Sequence, residues 1–358
     1  VASYKYLGIT LGDDLTWEKE VKMRVHKAEN GRMQWMKVLR NPFIAPAIRR
    51  MVVSTYIAPA ATYGIALWGR DIVSCRKVQT ALARALAMSA YTGKVRSEAL
   101  MYEMGIPPLY VQSLHSTARL FKKWEGIPAE QRLIFYWPRK MISGRAPQYS
   151  WVKTRLTAIH KLIPGWRNDL NIAKASVLWC RKVLGRFQSQ DLLLRLREDC
   201  QHMKMPAYLK HPNATGTKIM AKLRLSNLKM NDVSASFIEA RDTKNCLICG
   251  TETLETSRHF LCDCEGYSEI RNLWLRDTLF AGLLNHAGTL NSFEGCLSEA
   301  SARGDTSPEF SDVCRLSEDR RLSMLKDMWE LRSRVLRARE NSGGHPISPR
   351  VQAHRTTH

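Results

Sequence analysis

The amino-acid sequence predicts a mainly α-helical protein with a small β-hairpin at its amino terminus and a small module near residue 260. Three patterns support this fold class. Residues 4–11 are rich in strand formers, and several later stretches repeat apolar residues at helical spacing. The third pattern is a group of closely spaced Cys and His residues between positions 246 and 264. With 358 residues, the chain is long enough for two or three domains with their own cores.

The amino-terminal segment, residues 1–20, is predicted to form the β-hairpin. Tyr4–Leu11 partly alternates between apolar and polar residues, and Gly12-Asp13-Asp14 has the composition of a turn. A Gly-Asp-Asp sequence also resembles the paired aspartates that hold metal ions in polymerases. No second carboxylate-bearing strand precedes it in this chain, so it is interpreted as a turn, and no catalytic residue is predicted.

Residues 21–125 are predicted to form a helical domain. Its first helix runs to about Leu39, where Asn41-Pro42 ends it, and its second begins near Ala45 and is broken near Pro59. Its third covers Ser74–Ala90, where apolar residues recur every four positions. Large aromatic side chains usually pack in the interior, so three of them are also expected in the core: Tyr56, Tyr63 and Trp68.

The middle of the chain, residues 126–242, is predicted to be a basic helical linker region. The formal net charge of the whole chain is +22, and Arg119 to Lys229 holds 23 Lys and Arg against six Asp and Glu. Such a concentration of cations favours a nucleic-acid partner, because phosphate binding releases counterions. A solvated helical surface and an anionic membrane are the alternatives. The candidate phosphate-binding residues are Lys122, Lys123, Arg139, Lys140, Arg145, Lys153 and Arg155.

Residues 243–285 are predicted to form a small metal-binding module followed by a helix. The apolar residues of that helix are expected to cover the metal site: Ile270, Leu273, Trp274 and Leu283. Cys246, Cys249, His259 and Cys264 have the spacing C-x2-C-x9-H-x4-C, which is typical of a structural zinc site. Cys262 is an alternative fourth ligand. Cys264 is preferred, because a helical turn from His259 places residues four or five positions apart on one side and directs the intervening Phe-Leu pair to the core.

The remaining segments carry little functional information. Residues 286–340 are predicted to include a charged helix over Leu316–Arg339, and residues 341–358 have a disordered composition. The uncharged stretch Met51–Gly69 is interpreted as a broken buried helix, so no membrane partner is expected. Nine unevenly spread cysteines without a signal peptide favour a reducing compartment, and a nuclear or cytoplasmic location is expected.

An ordered series of short motifs resembles the region after the polymerase palm in non-LTR (LINE-type) retrotransposon reverse transcriptases. The resemblance covers most of residues 1–285 and ends with the Cys-Cys-His-Cys segment. The motifs are Tyr4-Lys5-Tyr6-Leu7-Gly8, Thr55-Tyr56-Ile57-Ala58-Pro59, Thr62-Tyr63-Gly64, Trp68-Gly69, Glu98-Ala99-Leu100, Gly105-Ile106-Pro107-Pro108-Leu109, Lys222-Leu223-Arg224-Leu225 and Cys246-Leu247-Ile248-Cys249-Gly250 with His259-Phe260-Leu261.

This resemblance implies that the chain is a fragment: a hairpin from the palm edge, a thumb-like helical domain, a helical linker and a zinc-knuckle-like module. The expected function is binding of element RNA or target DNA. The family's catalytic aspartates match no position here, so Mg²⁺ belongs to the missing upstream palm of the same polyprotein, and the chain alone is expected to be inactive. The alternative is a stand-alone zinc-stabilised host protein that binds a protein partner through the helix after the module.

Overall fold

The computed structural model divides the chain into two compact units, Val1–Pro206 and Ala207–His358. The predicted fold class is confirmed: within the described residues, thirteen α-helices accompany one two-stranded sheet. The described residues are 3–12, 16–90, 92, 95–127, 151–187, 193, 203–211, 214–226, 228, 246, 248–251, 253, 255–275 and 308–341.

The first unit contains a β-hairpin, β1 (Ser3–Tyr6) and β2 (Ile9–Gly12), followed by a series of helices. A π-helical turn over Val53–Ile57 joins the third helix to the fourth. The helices are α1 (Glu18–Gln34), α2 (Met36–Arg40), α3 (Pro46–Val52), α4 (Ala58–Thr62), α5 (Ile65–Trp68), α6 (Ile72–Ala90), α7 (Ser97–Glu103), α8 (Leu109–Glu125), α9 (Trp151–Leu162) and α10 (Ile172–Leu184).

A hairpin is present as predicted, but its turn lies inside the predicted strand Tyr4–Leu11, and Gly12 belongs to β2 and not to a turn. The hairpin is anchored on α1. Leu7 and Gly8 form its turn with positive φ angles, as in the type I′ turns that suit two-residue hairpins. The Thr10 N–H donates to Glu20 Oε2 (2.7 Å), and Arg24 Nη2 donates to the Gly8 carbonyl (2.9 Å). Glu20 and Arg24 are buried and paired with each other. The hairpin therefore folds together with the first helix.

The central helix of the first unit is α6, which packs against α1, α3, α7 and α8. Its predicted apolar face is confirmed, because Val78, Leu82 and Leu86 are all buried. Ala81 and Ala85 are buried beside them. Small side chains allow neighbouring helices to approach closely, which explains why one helix can contact several others.

Of the three aromatic residues expected in the core, only Trp68 is buried; the prediction is wrong for Tyr56 and Tyr63, which are more than half exposed. Tyr56 stacks on Trp35, with ring centroids 4.8 Å apart. The Tyr63 hydroxyl donates to the Leu7 carbonyl (2.9 Å). A tyrosine can pack one ring face against a neighbour while its hydroxyl group stays at the surface, so residue type alone does not fix its burial.

The helices after residue 126 share a core with α8, which differs from the separate linker region predicted for residues 126–242. The compact unit continues to Pro206, so Gly126 lies inside the unit and does not mark a domain boundary. The core that joins α8, α9 and α10 consists of Val111, Leu114, Ala118, Phe121, Val152, Ile159, Ile163, Trp166 and Ala175.

Arginine side chains bind carbonyl groups where the short helices end. Arg49 Nη1 donates to the Leu39 carbonyl (3.1 Å) in the last turn of α2. Arg50 donates to the Met104 and Gly105 carbonyls (2.6 and 3.0 Å) just after α7. The last carbonyl groups of a helix have no partner within it, and a cation is favourable at that end. Some of the positive charge of the chain therefore stabilises the fold.

Arg155 also binds carbonyl groups at a helix end, so its prediction as a phosphate-binding residue is wrong. Its side chain is buried, and Nη1 donates to the Gly69 carbonyl (3.1 Å) after α5. Nη2 donates to Ser113 Oγ and Thr117 Oγ1, both at 2.8 Å. Burial lowers the pKa of the guanidinium. Arg155 cannot reach a nucleic acid from this position, because its nitrogens hold α5, α8 and α9 together.

The second unit contains a 3₁₀ turn, Ala207–Lys210, and three described helices: α11 (Ala214–Arg224), α12 (Ser268–Leu275) and α13 (Pro308–Asn341). α13 packs against α11 and α12. A Cβ atom at Gly216 would lie 2.2 Å from the Leu322 carbonyl oxygen, so α11 and α13 can approach this closely only with glycine there. Leu322, Leu325 and Met328 are buried in α13, which begins at Pro308 and not at the predicted Leu316.

The uncharged stretch Met51–Gly69 forms short helical pieces, as its proline and glycine residues predict. Pro59 lies in the first turn of α4, where its missing N–H costs no helical hydrogen bond. Across the described ranges, no helix combines the length and the apolar character needed to cross a lipid bilayer.

We predict that Arg155→Ala lowers the free energy of unfolding by about 2–4 kcal/mol, because it leaves buried hydrogen-bonding groups without their partner. Urea denaturation measures this change. Lys153→Ala is the control, since Lys153 is an exposed cation on the same helix and its loss should cost at most about 0.5 kcal/mol. Equal stability of the two variants would contradict the structural role of Arg155.

Candidate metal centre

Four side chains of the second unit converge on one point. Cys246, Cys249, His259 and Cys264 each offer a ligand atom, and these atoms all lie within 4.8 Å of one another. Cys246 Sγ lies 3.7 Å from Cys264 Sγ, and Cys249 Sγ lies 3.4 Å from His259 Nε2. The four cysteine and histidine residues selected from the sequence are therefore neighbours in the structure.

The distances fit a tetrahedral ion. Two thiolates bound at about 2.3 Å to one tetrahedral centre lie about 3.8 Å apart, and a thiolate and an imidazole nitrogen lie about 3.6 Å apart. The observed 3.7 Å between Cys246 and Cys264 and 3.4 Å between Cys249 and His259 are close to these values. The three cysteines are free thiols and form no disulfide. The arrangement can hold one metal ion.

The first two ligands are positioned by a tight turn. Residues 248–249 form the turn, and Gly250 leaves it with a φ of +69°, a conformation that glycine adopts readily. The Cys246 N–H donates to the Thr253 carbonyl (2.8 Å), which closes the loop behind the turn. A Cβ atom at Gly266 would lie 2.7 Å from the Ile248 side chain, so the segment around Gly266 packs closely against the turn.

The other two ligands are positioned by a π-helical turn over His259–Asp263. The Cys264 N–H donates to the His259 carbonyl (2.8 Å), a hydrogen bond between residues five apart. This wide turn brings Cys264 to the same side as His259, while Phe260 and Leu261 are buried. The helical turn predicted from the sequence is present. Cys262 lies within it, but its side chain is outside the described residues.

Two of the thiols interact strongly. A hydrogen bond from Cys264 lowers the pKa of the Cys246 thiol to about 5, and the same hydrogen bond raises the pKa of Cys264. One member of the pair therefore ionises much more readily than the other. A bound cation favours the thiolate of both, so metal binding releases protons.

Aromatic packing connects the module to α13. The ring of Phe260 meets the rings of Tyr267 and Trp329 edge to face, with centroids 5.1 and 6.2 Å apart. A buried ion pair supports the same contact, because Arg332 Nε and Nη2 donate to the two carboxylate oxygens of Glu255 at 2.7 and 2.8 Å. These contacts supply the apolar core that a small metal module lacks by itself.

The sequence did not reveal the Glu255–Arg332 pair. The two residues are far apart in the chain, and each resembles an ordinary surface charge in its local context. The helix after the module is also only partly as predicted. Leu273 was expected to cover the metal site, but its side chain is 70% exposed. The rest of that predicted helix, beyond Leu275, lies outside the described residues.

The candidate phosphate-binding residues fall into three groups. Lys122 and Lys123 are exposed in the last turn of α8, and Lys153 is exposed on α9. Arg155 is buried and belongs to the fold. The remaining three candidates lie outside the described residues: Arg139, Lys140 and Arg145.

Comparison with known proteins provides no relative. No protein-family model, curated protein or solved structure matches the chain. The function of the chain is therefore inferred from its residues and their geometry.

We predict that the double substitution Cys246→Ser and Cys249→Ser abolishes metal binding, because it removes two of the four ligands. Elemental analysis of the purified protein by mass spectrometry measures the metal content, expected to be about one ion per wild-type chain. Cys262→Ser is the control and should retain the ion, whereas Cys264→Ser should lose it. Loss of metal from Cys262→Ser with retention in Cys264→Ser would assign the fourth ligand to Cys262.

Proposed function

We propose that the chain is the carboxyl-terminal, nucleic-acid-binding part of a retrotransposon-type RNA-directed DNA polymerase. It would hold the element RNA or its target DNA and depend on an upstream palm region of the same polyprotein for catalysis. The observation that carries this proposal is the cationic surface of the first unit, together with the ordered motifs that resemble the family. The proposed compartment is the nucleus or the cytoplasm.

The exposed lysines at the junction of α8 and α9 support this proposal. Phe121 and Trp151 meet edge to face with ring centroids 5.8 Å apart, so the end of α8 lies beside the start of α9. Lys122, Lys123 and Lys153 are exposed within two residues of this contact. Exposed lysines on adjoining helix ends can follow a phosphate backbone, and they would give binding that weakens as salt increases.

The metal centre has a structural role in this proposal, and zinc is the proposed ion. Three thiolates and one imidazole form a donor set that suits Zn²⁺. With four protein ligands, the ion has no open position for a substrate or a water molecule, as in structural zinc sites.

The charge of the module agrees with this division of roles. From Asn245 to Asp277 the sequence has three Arg against six acidic residues. Three thiolates on Zn²⁺ add one more negative charge. The module is therefore poorly suited to attract phosphates, and the electrostatic attraction is assigned to the first unit.

One observation favours the alternative, a zinc-stabilised module that binds a protein partner. Leu273 on α12 is 70% exposed, directly after the metal centre. An exposed leucine on a short helix is a possible contact for another protein, although single exposed apolar residues are common. Substitution of Leu273 should leave nucleic-acid binding unchanged, which separates the two functions.

We predict that the chain binds short RNA and DNA oligonucleotides with an affinity that falls steeply as salt increases. The logarithm of the affinity should change with the logarithm of salt by about 0.7 to 0.9 per phosphate contact. Fluorescence anisotropy with labelled oligonucleotides measures this slope. The combined substitutions Lys122→Glu, Lys123→Glu and Lys153→Glu should weaken binding several-fold, without lowering the melting temperature, because exposed cations contribute little to stability.

The matched control reverses three other exposed lysines, Lys22, Lys27 and Lys37, on α1 and α2. It makes the same change in net charge, so its affinity should fall less than that of the first variant. Equal loss in both variants would mean that only total charge matters. Binding that does not depend on salt, or no binding, would contradict the proposed function.

A further inference from the structure

A cleft of about 790 Å³ lies in the first unit, between α6, the start of α7 and α10. This volume is within the range of ligand-binding clefts, about 300–1,000 Å³. Neither the exposed lysines of α8 and α9 nor the metal ligands contribute to it. Its polar and aromatic lining includes Arg76, Arg84, Arg96, Glu98, Trp179, Lys182, Arg186 and Phe187.

The lining is strongly cationic. Among the described residues, it contains five Arg and Lys side chains and one carboxylate, that of Glu98. Arg76 pairs with Glu98 (3.3 Å), and Arg84 pairs with Glu29 (2.5 Å) outside the lining. Arg96, Lys182 and Arg186 are exposed, and in the part of the chain that the structure describes no carboxylate pairs with them. These three cations are therefore available for an anionic ligand.

The same cleft presents flat aromatic surfaces beside these cations. The Arg96 guanidinium lies over the ring of Phe187, 3.4 Å from its centroid. Trp179 is half-buried in the lining, and Tyr110 supports its ring with centroids 4.9 Å apart. Arginine planes and aromatic rings are the surfaces on which unpaired bases stack.

We propose that this cleft binds a short single-stranded segment of RNA or DNA. Lys182 and Arg186 would contact phosphates, while Trp179 and the Arg96 guanidinium stacked on Phe187 would receive bases. The proposal rests on the proposed function and deepens it by naming the form of nucleic acid and the place where it binds.

The aromatic surfaces favour a nucleic acid over an acidic peptide. Both ligands would satisfy the cations, but carboxylate side chains gain nothing from the ring of Trp179. Bases of any kind stack on such rings, because every base has a flat π face. We therefore expect binding that depends on strandedness and only weakly on sequence.

The experiment compares labelled oligouridylate, oligothymidylate and a duplex of the same length by fluorescence anisotropy. The test variant carries Lys182→Glu and Arg186→Glu, which change one cation in the last turn of α10 and one in the turn that follows it. Its affinity for the single strands should fall by about tenfold or more, and the salt slope by about 0.7 for each lost phosphate contact. Its affinity for the duplex should change much less.

Two control variants make the result specific. Lys182→Arg with Arg186→Lys keeps both charges and should retain single-strand affinity. Lys22→Glu with Lys27→Glu makes the same change in net charge away from the cleft and should lose much less affinity. The thermal melting temperature of each variant shows whether it has folded.

The outcomes separate this inference from the proposed function. Two results would contradict the cleft as the single-strand binding site while leaving nucleic-acid binding intact. One is unchanged single-strand affinity in a folded Lys182→Glu, Arg186→Glu variant, and the other is an equal loss of affinity for single strands and duplex. Competition by oligoglutamate as effective as that by oligouridylate would assign the cleft to acidic peptides. If the wild-type chain binds no oligonucleotide, both proposals fail.

Discussion

Three thiols and an imidazole held within 4.8 Å of one another are the constraint on which the second unit depends. Thiolates at this distance repel each other unless a cation lies between them, and protonated thiols gain little from such proximity. The backbone positions all four ligands, with a glycine turn after one ligand pair and a π-helical turn between the other two. The buried Glu255–Arg332 pair and the rings around Phe260 then join the module to α13.

Buried and half-buried arginines stabilise the first unit. Many of its helices are short, so carbonyl groups at their ends need partners that the helices themselves cannot provide. Arg49, Arg50 and Arg155 supply them at the ends of α2, α7 and α5. The net charge of +22 therefore overstates the cationic surface that faces a ligand. The cations that remain exposed, including Lys182 and Arg186, are the ones available for the proposed phosphate binding.

Sequence patterns predicted the structural features that depend on residues close together in the chain. The four-residue repeat on α6 and the spacing of Cys246 and Cys249 each depend on neighbouring residues, and the structure contains both features. The burial of Arg155 depends on carbonyl and hydroxyl groups from α5 and α8, which no local pattern shows. The cleft could not be predicted for the same reason. Lys182 and Arg186 are close in the chain, at the end of α10 and just after it, but only the fold brings Arg96 beside them.

The claim most central to this account is that three cysteines and one histidine hold a single tetrahedral ion. X-ray absorption at the zinc edge of the purified chain tests it directly. The account predicts a shell of three sulfur atoms at about 2.3 Å and one nitrogen atom at about 2.0 Å. A shell with two or fewer sulfur atoms, or one dominated by oxygen, would contradict it.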